Sequence, residues 1–137
     1  MELYIDADNQ IAGRLASKVA KELLKGGYVY VVNAERAVIS GNPAHVAEIY
    51  KGKRARGDPY HGPFYPRTPD RMLKRIVRNM LPYKKERGRV AFKRLKIFIS
   101  VPENLKDKNF TRFKEAENRL QFKSMKLGDL SRQLGWK

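Results

Sequence analysis

Tyr28-Val29-Tyr30-Val31-Val32 is an unbroken run of five β-formers with no charged residue among them. A strand on a half-wet sheet alternates apolar and polar side chains, whereas one without that alternation is covered on both faces, as in parallel sheets. Parallel neighbours need a crossover, and the preceding residues supply one. Leu3-Tyr4-Ile5-Asp6-Ala7 reads as a short strand and Asp8-Asn9 as a turn. Ala12, Leu15, Ala16, Val19, Ala20, Leu23 and Leu24 then fall at the i, i+3, i+4, i+7 spacing of one buried helical face. Gly26-Gly27 ends that helix, because glycine takes the left-handed cap conformation at little cost.

The order continues in the same style. Ala37-Val38-Ile39-Ser40 is a second short strand. Asn42 is placed to cap a helix over 44–51, with Pro43 at its first position. Four prolines and three glycines between 52 and 69 then break regular structure. Thr68 as cap, Pro69 in the first turn and Asp70 against the dipole open a helix over 70–81, which Pro82 stops. Residues 96–101 form the last clear strand, closed by Pro102. This β-α-β-β-α-loop-α-β order predicts a layered α/β fold with a mostly parallel sheet. The core spans 1–102, with a basic insertion over 51–96 before the last strand. Residues 103–137 form a C-terminal extension that packs back or reaches a neighbouring molecule. It carries a short helix over 127–134, with Leu127, Leu130 and Leu134 on one side and Gly135 just past its end.

At 137 residues the chain is long enough for one domain with a real core. It has no cysteine, so neither a disulfide framework nor a thiolate metal site forms, and His45 and His61 alone do not make a histidine-rich one. No stretch approaches the roughly 18 apolar residues of a membrane span, and the acidic N-terminus is unlike a signal peptide. A soluble cytoplasmic protein is the expectation.

Charge narrows the partner. The chain carries +16, and residues 51–96 hold sixteen Lys and Arg against Asp58, Asp70 and Glu86, a net of +13. Such a concentration opposes compaction unless a polyanion neutralises it, which predicts partial disorder over 52–66 in the free protein. Within the 70–81 helix Arg71, Lys74, Arg75 and Arg78 share an arc of about 100°, opposite Leu73, Ile76, Val77 and Met80. A solvated face ordinarily mixes signs through i,i+4 pairs; this one has no acid, so phosphates are its natural complement. Lys51, Lys53, Arg54, Arg56 and Arg67 precede or open this helix, and Lys84, Lys85, Arg87, Arg89, Lys93 and Arg94 follow it. Glycines at 52, 57 and 88 allow close backbone approach to a ligand. Tyr60, His61, Phe64 and Tyr65 interleave with these cations. They either stack on bases or anchor the loop to the core.

Catalytic arrangements are hard to assemble. Asp6-Ala7-Asp8-Asn9 opens like a calcium loop but lacks its glycine and closing glutamate. Gly13-Arg14 occupies the position of a dinucleotide loop without the glycine spacing, and no Walker-type Gly-Lys-Ser/Thr is present. Ser17 and Ser40 have no histidine in sequence context.

Gly13-Arg14-Leu15-Ala16-Ser17, Val32-Asn33-Ala34-Glu35, Ile39-Ser40-Gly41-Asn42, Gly62-Pro63-Phe64-Tyr65-Pro66, Met80-Leu81-Pro82 and the run from Arg87 to Lys96 occur in this order. Together with Leu127-Gly128-Asp129-Leu130 and Leu134-Gly135-Trp136-Lys137, this set resembles the large-subunit ribosomal protein L-thirteen family in its archaeal and eukaryotic branch. The lack of cysteine fits an archaeal source. The resemblance implies a three-layer α/β/α fold with a four-stranded parallel sheet and a structural role in the large ribosomal subunit. Its partners would be ribosomal RNA and neighbouring subunit proteins, with no membrane, small-molecule substrate, enzymatic activity or cofactor. Two other readings stand beside it: a nucleotide-binding enzyme on a Rossmann-like sheet, and a free-standing regulator of messenger RNA using the same basic surface.

Overall fold

The computed structural model describes residues 2–55, 66–118 and 123–136. Its centre is the β-α-β unit that the apolar patterns predict. Strand β1 (Glu2–Asp6) leads into helix α1 (Ala12–Leu24), which returns to β2 (Tyr28–Val32). The helix ends as expected: Gly26 takes φ 98°, and Gly27 N–H donates to the Glu22 carbonyl at 3.2 Å. β1 pairs parallel with β2 from Glu2↔Tyr28 to Asp6↔Val32, and β2 pairs parallel with β4 (Leu95–Ile97).

Three strands, not four, make this sheet among the described residues, in the order β1-β2-β4. The strand β3 (Val38–Ser40) lies outside it and pairs antiparallel with β5 (Ser124–Lys126). The diversion starts at Asn33. Its left-handed backbone (φ 58°) opens a single 3-10 turn over Ala34–Arg36, which turns the chain away from β2. Both sides of β2 are by then taken by β1 and β4. β1 gains one isolated parallel bridge on its outer edge, Ile5↔Thr111, from the C-terminal segment.

Helices α1, α3 (Pro69–Asn79) and α4 (Glu86–Lys93) contact the sheet, and α1 also touches the other two, so they form one layer. Helices α2 (Pro43–Ala55) and α5 (Leu127–Gln133) gather on the β3–β5 ribbon. The expected second helical layer is therefore replaced by a single layer and a ribbon. β2 departs from expectation in the same sense. Val29 and Val31 are fully buried toward α1, but Tyr28 is 49% exposed and Tyr30 half-buried on the other face. A tyrosine ring fits a strand, yet its hydroxyl tolerates water, so the absence of charge there did not mean burial.

One core joins these parts. Ile5, Leu15, Leu23, Val29, Met72, Leu73 and Leu95 share it with Ala116, Met125, Leu127 and Leu130. The C-terminal segment packs back onto the core, where the buried Ser131 hydroxyl lies 3.3 Å from the Met72 sulfur.

Local outcomes vary. Asn42 caps α2 as expected, its side-chain oxygen accepting from Ala44 N–H at 3.0 Å, and the helix runs on to Ala55 rather than stopping at 51. Thr68 precedes α3 in an extended conformation but makes no side-chain cap bond. α4 was not expected: the sequence assigns no element between Pro82 and the last strand. The last strand is shorter than predicted, ending at Ile97.

Candidate nucleic-acid interface

Helix α3 is fixed by its apolar side: Pro69, Met72, Leu73 and Val77 are buried against the core. With that face fixed, Arg71 is exposed and Lys74, Arg75 and Arg78 half-exposed on the other. These four side chains line a single open cleft of about 320 Å³, together with Pro66 and with Phe92 from α4. No acid is among its lining residues. Aromatic rings position two of the cations. The Lys74 Nζ lies 5.1 Å from the Phe92 ring centre and the Arg78 guanidinium 4.3 Å from that of Tyr83. A ring face attracts a cation without neutralising it, so both charges stay available to an anion.

A second, smaller cleft of about 200 Å³ shares Arg71 and Lys74 and adds Asp70, Lys96, Ile97 and Phe98. Lys96 is absent from the site residues that sequence reasoning selects, although its signal was there. It alternates with Leu95 and Ile97, so a strand must turn it outward.

Of the other expected site residues, Lys51, Lys53 and Arg54 stand on the last turns of α2, where no residue is buried. The Lys53 ammonium lies 4.7 Å from the Tyr50 ring centre. They do not line the α3–α4 cleft. Arg56, Tyr60, His61, Phe64 and Tyr65, with most of the 52–66 stretch expected to be disordered, lie outside the described residues. Arg67 is exposed beside Gly135, with Nη1 3.1 Å from where a Cβ on that glycine would sit. Lys84, Lys85, Arg87, Arg89 and Lys93 are exposed on the 81–85 turn and on α4. Arg94 turns inward: its Nη2 donates to the Leu23 carbonyl at 2.7 Å, satisfying the C-terminal end of α1.

The glycines divide similarly. Gly52 is exposed with nothing near it. A Cβ on Gly88 would collide with the Pro82 carbonyl and lie 2.8 Å from the Tyr83 nitrogen. That glycine serves close packing of the protein's own backbone rather than approach to a ligand. Gly57 lies outside the described residues.

In open α/β sheets small ligands bind beyond the carboxyl ends of the parallel strands. Here polar side chains at the strand ends are engaged with one another. Asp6 Oδ1 accepts from Asn33 Nδ2 and from Asp8 N–H, each at 3.0 Å, and Arg112 Nη1 stands 3.5 Å from Asp6 Oδ2. The Glu35 carboxylate accepts from the Ser100 backbone at 2.9 Å and from its hydroxyl at 3.0 Å. Among the described residues no group of three or more His, Asp or Glu could hold a metal ion. The arrangement is a row of cations lining one open cleft, a geometry that suits a polyanion.

Comparison with known proteins agrees with this picture. The family model described as "Ribosomal protein L13" matches residues 1–104. The chain is 48% identical over 136 residues to the large ribosomal subunit protein uL13 of Methanosarcina barkeri, covering 97% of each. It is 51% identical over 135 residues to that of Methanococcoides burtonii, again 97% of each. With the Archaeoglobus fulgidus protein of that name it shares 47% over 136 residues, 97% of this chain and 87% of the other.

Proposed function

The chain belongs to the ribosomal protein L13 family, and on that premise we propose that the cationic cleft between α3 and α4 is where it grips ribosomal RNA. The protein is a structural constituent of the large subunit of the cytoplasmic ribosome. It is not an enzyme; its partners are ribosomal RNA and neighbouring subunit proteins.

One observation carries the assignment of the surface: four cations from a single helix converge on one cleft with no acid among its lining residues. RNA backbones brought within reach replace condensed counterions with Arg71, Lys74, Arg75 and Arg78, and released counterions drive binding. Arginine at three of the four positions suits bidentate phosphate contact. Lys51, Lys53 and Arg54 on α2, and Lys84, Lys85, Arg87, Arg89 and Lys93 around α4, supply a second rank of phosphate contacts. Arg94 serves the fold.

The test is salt-dependent binding to a large-subunit RNA transcript. Each phosphate contact contributes roughly 0.7–0.9 to the slope of log K against log salt. Arg71→Ala, Arg75→Ala and Arg78→Ala together are expected to lower the slope by about 2. An unchanged slope in that triple variant sinks the cleft assignment.

A further inference from the structure

A parallel sheet is normally covered on both faces, and this one is covered by helices on one. The pairing register sets out the other face in rows: Glu2 beside Tyr28, Tyr4 beside Tyr30 and Lys96, Asp6 beside Val32. The Tyr4 and Tyr30 rings stack with centres 5.1 Å apart and planes 14° from parallel. Phe110 braces Tyr4 edge-on at 6.4 Å, and the Lys108 ammonium lies 5.4 Å from the Tyr4 ring centre. Tyr28 is the most exposed large apolar side chain among the described residues. The two acids on these rows are engaged. Glu2 accepts from the Tyr4 hydroxyl at 2.8 Å, and Asp6 is held by Asn33 and Arg112. The hydrogen bond to the Glu2 carboxylate also raises the Tyr4 pKa above the usual phenol value.

This face continues the cationic surface. Arg71 and Lys74 line the α3–α4 cleft and also the smaller cleft at the edge of β4, where they meet Lys96. Lys96 in turn stands in the row of Tyr30 and Tyr4. A path of positive charge thus runs from Arg78 through Arg75, Lys74 and Arg71 to Lys96, and ends on stacked aromatic rings.

We propose that the Tyr28–Tyr30 end of this sheet face is a second RNA contact, on which an unpaired nucleotide of a single-stranded segment stacks on Tyr28 or Tyr30 while its phosphates follow Lys96. The proposal rests on reading the α3–α4 cleft as an RNA site. Every base has a flat π-face, so an aromatic platform accepts unpaired residues and rejects paired ones. Five cations against the one acid Asp70 in the smaller cleft favour RNA over a protein partner, whose interface core would be depleted of charge.

The experiment uses the full chain with two probes: a short single-stranded oligouridine and an RNA hairpin without unpaired ends. Tyr28→Leu with Tyr30→Leu keeps apolar bulk and removes the rings. It is expected to weaken oligouridine binding about tenfold, leave hairpin binding intact and leave the salt slope unchanged. Tyr30→Phe is expected to bind like the parent, and ultraviolet crosslinks of oligouridine are expected to map to residues 28–30. If the double variant fails to fold, Tyr28→Leu alone together with the crosslink map decides the matter. Parental affinity in the leucine variants with no crosslink at 28–30 overturns the proposal, and so does an equal loss in Tyr30→Phe. A face taken instead by a protein neighbour gives the first of those results. Failure of the cleft reading is separate: it is an unchanged salt slope in the Arg71, Arg75 and Arg78 variant.

Discussion

An alanine at position 88 would ordinarily strengthen a helix by about 1 kcal/mol over glycine. Here its Cβ meets the Pro82 carbonyl across a turn of rigid backbone. The clash dominates, because overpacking against atoms that cannot move costs about 1–3 kcal/mol. Gly88→Ala is therefore expected to lower the urea midpoint, the opposite of the propensity argument. Arg94 offers a second opposition of roles. Its guanidinium donates to Leu23 at the end of α1, so Arg94→Ala should cost roughly 1–3 kcal/mol of stability while leaving the RNA salt slope unchanged. Arg71→Ala should do the reverse. The sequence sets Arg71 on the cationic stripe of α3, but nothing in it says that Arg94, in the run from Arg87 to Lys96, turns inward. What separates them is the tertiary placement of Leu23, 71 residues away.

Whole elements were legible where a pattern repeats. The apolar stripe of α1, the glycine stop after it and the cationic stripe of α3 all follow from spacing, and all stand within a residue or two of expectation. Helix α4 did not, because its eight residues carry three cations and a glycine, and it is held by the fit of Gly88 and Ala91 rather than by an apolar stripe. β3 was legible as a strand but not as one outside the sheet, since a three-residue strand carries no information about its partner. That partner is β5, and it fixes another prediction. A chain ending at 123 loses Met125, Leu127, Leu130 and Leu134, all buried. At about 1.5–3 kcal/mol for each such side chain, the loss rivals the whole stability of a typical domain, about 5–15 kcal/mol. The truncated chain is expected to show no cooperative thermal transition by circular dichroism.

For the molecule as a whole, salt acts in two directions. The protein carries +16, and raising ionic strength shortens the reach of its self-repulsion to about 8 Å near 0.15 M. Its melting temperature is expected to rise with salt over the same range in which RNA affinity falls; a melting temperature that falls with salt would show that attractive pairs, not repulsion, govern the charge. Pairing across the ribbon also imposes an order in time. Ile39 waits for Met125, 86 residues later in the chain. At a synthesis rate of about 5–20 residues per second, that delay is about 4–17 s. The cationic helix α3 is made well before the ribbon can close. A nascent copy therefore presents its cationic helix before it owns a finished fold, inside the very kind of machine that it is being made to join.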